Sequence, residues 1–271
     1  MPKVNANGVT INYERQGSGE PLVLIPYLAA DNACYAFQVA DYAKHFTCFS
    51  LDLRGTGASD KPDGVYSTEL FADDVAAFMQ VVGITRAHLA GLSLGAAIAM
   101  WLGVKRPERV LSLSLHGGWT KSDPFLKTVV ESWQVMATAL SSVPETTIRG
   151  IFPWCFTPEL YAAKPEYIQS LADFVRSRPA QPVSAFLQHS NAVAAHDIDG
   201  IDRITAPTLI TCGRRDALTS TRFAEPMKAQ IRDAELVVFE SCSHAPLYEN
   251  VHAFNEQTLR FLQRQSGAGV A

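Results

Sequence analysis

Gly91-Leu92-Ser93-Leu94-Gly95 follows a strand pattern at 87–90 and opens a helix pattern that stops before Pro107. A chain turning from strand to helix in so few residues strains the middle residue, and that strain lifts the serine hydroxyl clear of the sheet. Glycines two positions to either side let strand and helix approach closely. A serine held this way is a candidate nucleophile, but a neutral hydroxyl is a poor one without a base.

On both sides of this turn the chain alternates strand and helix patterns. Upstream, Asn7-Gly8 is a two-residue hairpin turn followed by the alternating run Val9-Thr10-Ile11-Asn12-Tyr13. Leu22-Val23-Leu24-Ile25 is wholly apolar, as in a strand buried on both faces of a parallel sheet. A helix is expected over 31–45 and a strand over 46–51. Ser67 caps the next helix, with Leu70, Phe71, Val75, Phe78, Met79 and Val82 as its apolar stripe and Gly83 at its end. Downstream lie strands at 110–115, 208–212 and 236–239, with helices near 221–231 and 251–263. Such alternation implies a parallel sheet with helices on both faces.

Between 119 and 195 the rhythm breaks. The stretch is helical in pattern, interrupted by seven prolines, and holds Trp119, Trp133 and Trp154. Six acidic and six basic residues balance within it. It is expected to be a helical lid over the carboxyl ends of the strands, where such sheets place their sites. Residues 1–118 and 196–271 then form one discontinuous core, with a loose tail at 266–271.

The composition limits the alternatives. In 271 residues, 23 Lys+Arg stand against 27 Asp+Glu, so no surplus of positive charge and no basic run invites nucleic acid. No apolar stretch is long enough to span a membrane. Residues 1–8 carry no apolar core of a signal peptide, which leads to the expectation of a cytoplasmic protein. Five scattered cysteines without a Cys-x-x-Cys pair read as free thiols, Cys242 included, and not as a disulfide or zinc framework.

A base and an orienting acid for Ser93 are expected downstream, in the order acid then histidine. Asp216 lies in Cys212-Gly213-Arg214-Arg215-Asp216, just past an apolar strand. His244 lies in Ser241-Cys242-Ser243-His244-Ala245-Pro246, just past the next. Both would project from strand ends toward Ser93.

With these residues in hand the chain resembles the α/β-hydrolase superfamily over nearly its whole length. The segment Leu51-Asp52-Leu53-Arg54-Gly55-Thr56-Gly57-Ala58-Ser59 looks like the family's Asp-x-Arg-Gly-x-Gly-x-Ser pattern. Ala206-Pro207-Thr208-Leu209-Ile210 leading to Asp216, and His244 followed by Glu249, are similar to it too. The nearest resemblance is to 3-oxoadipate enol-lactonases, C–C bond hydrolases and cofactor-free haloperoxidases. It implies the α/β-hydrolase fold: a mostly parallel eight-stranded sheet, helices on both faces and an α-helical lid. Ser93, Asp216 and His244 take the places of nucleophile, acid and base.

The resemblance also implies an oxyanion hole made by the Leu94 N–H and one from the loop Pro26-Tyr27-Leu28-Ala29-Ala30, where the family commonly has His-Gly. Pro26 has no N–H to give. Leu28 falls at the usual donor position and Tyr27 is the alternative, adding bulk and a phenol beside the oxyanion. The implied activity is cleavage of a small ester or lactone through an acyl-enzyme, with no metal or organic cofactor. A C–C bond hydrolase acting on a vinylogous diketone with the same triad is one alternative. A hydrolase-fold ligand-binding protein with little turnover is another. A small molecule is the expected partner, and a homo-oligomer is left open.

Among secondary candidates, Tyr27, His116, Phe125 and Trp154 are expected to face substrate. A dicarboxylate would need an arginine, for which Arg149 or Arg176 could serve. Asp52 and Arg54 read as a structural loop pair, and His45, His88 and His252 as surface or strand-end residues. His189 and His196, seven apart, could share a helical face, but no third metal ligand is indicated.

Overall fold

The structure, a computed structural model, describes residues 2–267. Eight strands form one sheet: β1 (Lys3–Ala6), β2 (Val9–Gln16), β3 (Pro21–Ile25), β4 (Thr47–Leu51), β5 (Ala87–Leu92), β6 (Val110–His116), β7 (Thr208–Gly213) and β8 (Ala234–Phe239). Their order is β1-β2-β4-β3-β5-β6-β7-β8. From β4 to β8 every pairing is parallel, and β2 runs against its neighbours on both sides. The hairpin expected at Asn7-Gly8 joins β1 to β2, with both turn residues at positive φ.

Side-chain alternation along β3 divides the core. Val23 and Ile25 face one cluster of buried residues, Leu22 and Leu24 the other. On the first face lie α2 (Thr68–Val81) and α3 (Leu94–Lys105). The Ser67 hydroxyl caps α2 by accepting the Leu70 N–H at 3.0 Å. On the second face lie α1 (Ala36–Tyr42) and α12 (Val251–Gln265). Residues 268–271 of the expected tail lie outside the described residues.

Between β6 and β7 the chain leaves the sheet as the helical insertion: α4 (Pro124–Leu140), α5 (Val143–Thr146), a π-helical stretch at Thr147–Ile151, α6 (Phe152–Cys155), α7 (Pro158–Ala163), α8 (Pro165–Ser177) and α9 (Val183–Ala194). Its two stems are tied together at their base. Ser122 N–H donates to His196 C=O at 3.0 Å, and Ile198 N–H to Thr120 C=O at 2.8 Å. The sheet side then closes with α10 (Thr221–Gln230) and α11 (Pro246–Glu249).

Two structural expectations need correction. Asp52 and Arg54 do not pair with each other. Asp52 accepts from Asn12 Nδ2 and from the Asn32 and Ala58 amides at 2.7–2.8 Å, while the Arg54 guanidinium grips Asp74 on α2 with two nitrogens. Both carboxylates are buried, so each must find donors, and Asp74 reaches the guanidinium fork squarely. His88, one residue inside the start of β5, is not a surface residue. It is fully buried in β5, its Nδ1 2.8 Å from Ser112 Oγ on β6.

Candidate active site

The sheet order reverses direction between β3 and β5, and the loops leaving those two strands meet at that switch point. Ser93 follows β5 with φ 53° and ψ −118°, outside the range favoured by L-residues. Its surroundings hold it there. A Cβ on Gly91 would overlap the Gly95 backbone, and one on Gly95 would overlap the Ile25 carbonyl. Ser93 N–H donates to His116 C=O at 2.8 Å. The Tyr35 hydroxyl bridges the two strand ends, accepting the Leu92 N–H at 2.8 Å and donating to Ile25 C=O at 3.0 Å.

Asp216 and His244 meet past the ends of β7 and β8. His244 Nδ1 lies 2.8 Å from Asp216 Oδ2, and both residues are buried. The other carboxylate oxygen accepts the Leu218 and Thr219 amides at 2.7 and 3.0 Å. Burial alone would push the Asp216 carboxyl up. The neighbouring imidazole and these two amides outweigh it and hold the acid below the usual carboxylate range. Thr219 Oγ1 stands 3.1 Å from both Asp216 Oδ2 and His244 Nδ1. The Ser93 hydroxyl faces the same cavity as His244 and has no hydrogen-bond partner among the described residues.

The loop after β3 makes a tight turn. Ala30 N–H donates to Tyr27 C=O at 3.2 Å, and Ala29 takes φ 62°. The amides of Leu28 and Leu94 have no acceptor among the described residues, and neither has that of Tyr27. The Tyr27 phenol is committed elsewhere. Tyr248 O–H donates to Cys34 C=O at 2.6 Å, so in the 2.8 Å bond between the two phenols Tyr27 must be the donor.

Above Ser93 lies a cavity of about 120 Å³, room for about four waters at their liquid volume of about 30 Å³ each. Its floor comprises Leu28, Ser93 and His244, and the insertion supplies a mainly apolar roof that includes Trp133, Ile151, Phe152, Phe156 and Phe174.

A model of the alpha/beta hydrolase fold family matches residues 19–251. The chain belongs to the alpha/beta hydrolase fold family. RutD of Azorhizobium caulinodans is 28% identical over 270 residues, covering 96% of this chain and 98% of that protein. A 3-oxoadipate enol-lactonase of Acinetobacter baylyi is 25% identical, with 96% of each chain covered. Among solved structures, the enol-lactonase of Burkholderia xenovorans LB400 superposes with a TM-score of 0.87 at 24% identity, covering 97% of this chain and all of the other.

Within this hydrolase fold several expected contacts lie elsewhere. His116 does not line the cavity. It is buried in β6, 2.8 Å from Thr211 Oγ1 and packed against Phe254, and burial pushes it down to about 3. Phe125 and Trp154 pack edge-on against each other at 5.9 Å and neither lines the cavity, because Phe125 turns outward beneath Arg222. The tryptophans that do line it are Trp119 and Trp133. Arg149 and Arg176 both bind Glu145 on the outer surface, and the arginine in the cavity wall is Arg178.

His189 and His196 also part company. His189 Nε2–H donates to Arg54 C=O at 2.7 Å, whereas His196 lies between the Thr68 hydroxyl at 2.8 Å and Trp119 C=O at 3.0 Å. Among the described residues no group of three or more His, Cys, Asp or Glu could hold a metal ion. All five cysteines are free. Among the described residues no helix is long and apolar enough to cross a membrane. Tyr35, Thr219 and Tyr248 carry no motif of their own, and only the fold brings them to the site.

Proposed function

We propose that this hydrolase-fold protein is a serine hydrolase of small esters or lactones, acting through an acyl-enzyme. The observation that carries the reading is a strained Ser93 with the unbonded Leu28 amide and the Asp216–His244 pair at one cavity, and the unbonded Leu94 amide beside Ser93 at the start of α3. As substrate seats, the Ser93 hydroxyl comes within reach of His244 Nε2, which removes its proton as oxygen attacks the carbonyl. The Leu94 and Leu28 amides receive the developing oxyanion; one such donor is worth about 10²–10³ in turnover. His244 then hands its proton to the leaving alkoxide, and water resolves the acyl-enzyme by the same steps in reverse roles. Asp216 keeps His244 protonated at Nδ1 and steadies the imidazolium.

The small, apolar cavity supports a small substrate and not a polymer. Similarity to a 3-oxoadipate enol-lactonase supports including lactones alongside open-chain esters. The test is hydrolysis of short-chain 4-nitrophenyl esters and a lactone panel, with labelling by a fluorophosphonate probe. Labelling and product release lost together in Ser93→Ala are the expected result. Undiminished turnover in that variant would overturn the mechanism, and labelling without turnover of any ester or lactone would overturn the substrate class.

A further inference from the structure

The cavity over Ser93 reaches solvent at one edge. Of the residues that line it, Phe174, Pro179 and Ala180 are exposed, and all three belong to the end of α8 or the loop from α8 to α9. The core meets that edge with Asp31, just past the loop that carries Leu28: Arg178 Nε–H donates to Asp31 Oδ2 at 2.7 Å. Among the described residues it is the one ion pair from α8, α9 or their loop to a residue outside the insertion. Asp31 is fixed on its own side, its other oxygen accepting the Ala33 N–H at 3.0 Å. The α8–α9 loop is not. Residues 179–181 make no main-chain hydrogen bond among the described residues. Gln181 is buried, yet neither its Oε1 nor its Nε2 has a hydrogen-bond partner. A buried carboxamide without partners has lost its water and gained nothing in exchange, so it works against the position the loop holds. One ion pair favours that position and one stranded side chain opposes it.

We propose that residues 178–182 are a gate at the mouth of the cavity, latched by the Arg178–Asp31 pair, and that its opening governs entry of substrate to Ser93, an inference that rests on the serine-hydrolase reading above. In the open position Gln181 regains water, and Arg178 exchanges Asp31 for solvent. A segment with no main-chain hydrogen bonds of its own opens at low cost. The latch is matched to that task, because a partly exposed ion pair shifts an equilibrium only a few-fold and so holds the loop without locking it. The rest of the roof stays in place, since Glu249 ties Thr157 to the loop of His244. While the gate is mostly closed, the apparent rate of entry scales with the open fraction. Whatever weakens the latch therefore raises kcat/KM with little change in kcat, and whatever relieves Gln181 in the closed position lowers it.

The experiment reads the gate twice: as the rate constant for labelling of Ser93 by excess fluorophosphonate, and as hydrogen exchange of the amides over 178–186 with no probe present. Asp31→Asn, which is nearly isosteric, and Arg178→Gln are each expected to speed labelling by about two- to fivefold. The double variant should be no faster than the quicker single one, since both break the same pair. Gln181→Leu removes the stranded carboxamide and should slow labelling by about fivefold or more. Exchange should move in the same direction as labelling in each variant. A rate constant does not depend on how much of the protein is folded, so a poorly folding variant cannot imitate either result. Rates unchanged or slower in both latch variants, or unchanged or faster in Gln181→Leu, would overturn the gate. A wild-type protein that is not labelled, or Ser93→Ala labelled equally well, would instead overturn the serine-hydrolase reading. Exchange needs no chemistry at Ser93 and would still decide the gate.

Discussion

Glu249 Oε1 accepts the Thr157 N–H at 2.6 Å, which joins the insertion to the loop that carries His244. Its other oxygen accepts the Ser243 N–H, one residue before His244. Two more bonds run alongside. Ser243 Oγ–H donates to Trp154 C=O at 2.9 Å and Ala245 N–H to Cys155 C=O at 3.1 Å. The histidine loop is therefore braced against the roof of the cavity as well as against Asp216. Glu249→Ala strips two amides of their acceptor and is expected to cost about 1–3 kcal/mol in urea unfolding. Its kcat should fall more than its KM rises, because His244 loses position while the apolar wall stays. Glu249→Gln can restore one acceptor but turns an NH₂ toward the other amide, so it should fall between.

Asp216 collects four donors: two amides, the Thr219 hydroxyl and His244 Nδ1–H. In Asp216→Asn the amide nitrogen would face Nδ1 and favour the wrong imidazole tautomer, and kcat is expected to drop by about 10⁴. Thr219→Val removes only one of the contacts to the carboxylate and should lower kcat about tenfold. Steady-state kinetics on one activated ester separates the two. Equal losses would mean that the Thr219 contact orients the histidine as much as Asp216 does.

The strands, the hairpin and the elbow were readable because each is a property of residues within a few positions of one another. Alternation along β3, the Asn7-Gly8 turn and the glycines around Ser93 need no distant partner to state their meaning. Asp216 and His244 could be placed together because each follows an apolar strand, and neighbouring parallel strands end side by side. The cavity wall was not readable in this way. Which face of an insertion helix looks inward depends on its rotation, and Trp119, Trp133 and Trp154 are chemically alike. Arg54 shows the same limit: Asp52 is two residues away, yet its partner Asp74 is twenty away on α2. Nor could Arg178 be chosen over Arg149 and Arg176, since Glu145 claims the latter two only in the folded chain.

Strain at the elbow has a counterpart far from it. Ser141, exposed at the C-terminus of α4, takes φ 50° and ψ 31°, a left-handed conformation that glycine adopts more easily. Ser141→Gly is expected to stabilise the protein by about 0.5–1 kcal/mol, the relief of strain exceeding the extra freedom of the unfolded chain. Thermal and urea midpoints should rise together, with ester hydrolysis unaffected.

Four histidines lowered by burial, His88, His116, His189 and His196, make stability depend on pH. Burial pushes His116 down to about 3 and His189 and His196 to about 4, so all stay neutral in the folded state at mildly acidic pH. In the unfolded chain they take up protons near the ordinary value of about 6.5. The unfolded state thus binds more protons between about pH 6.5 and 4, and stability falls as pH falls across that window. Each such group removes about 2 kcal/mol by pH 5. Asp216 has the same sign but a separate window. With its folded value lowered, its contribution is intact above the ordinary carboxylate value and is lost only at lower pH. Urea unfolding at pH 7.5, 6 and 5 should therefore show a steady decline. His116→Gln, which cannot take up a proton but can still reach Thr211 Oγ1, should flatten that decline by about one group's share. A stability independent of pH from 7.5 to 5 would mean that these histidines are protonated alike in both states, as exposed ones are.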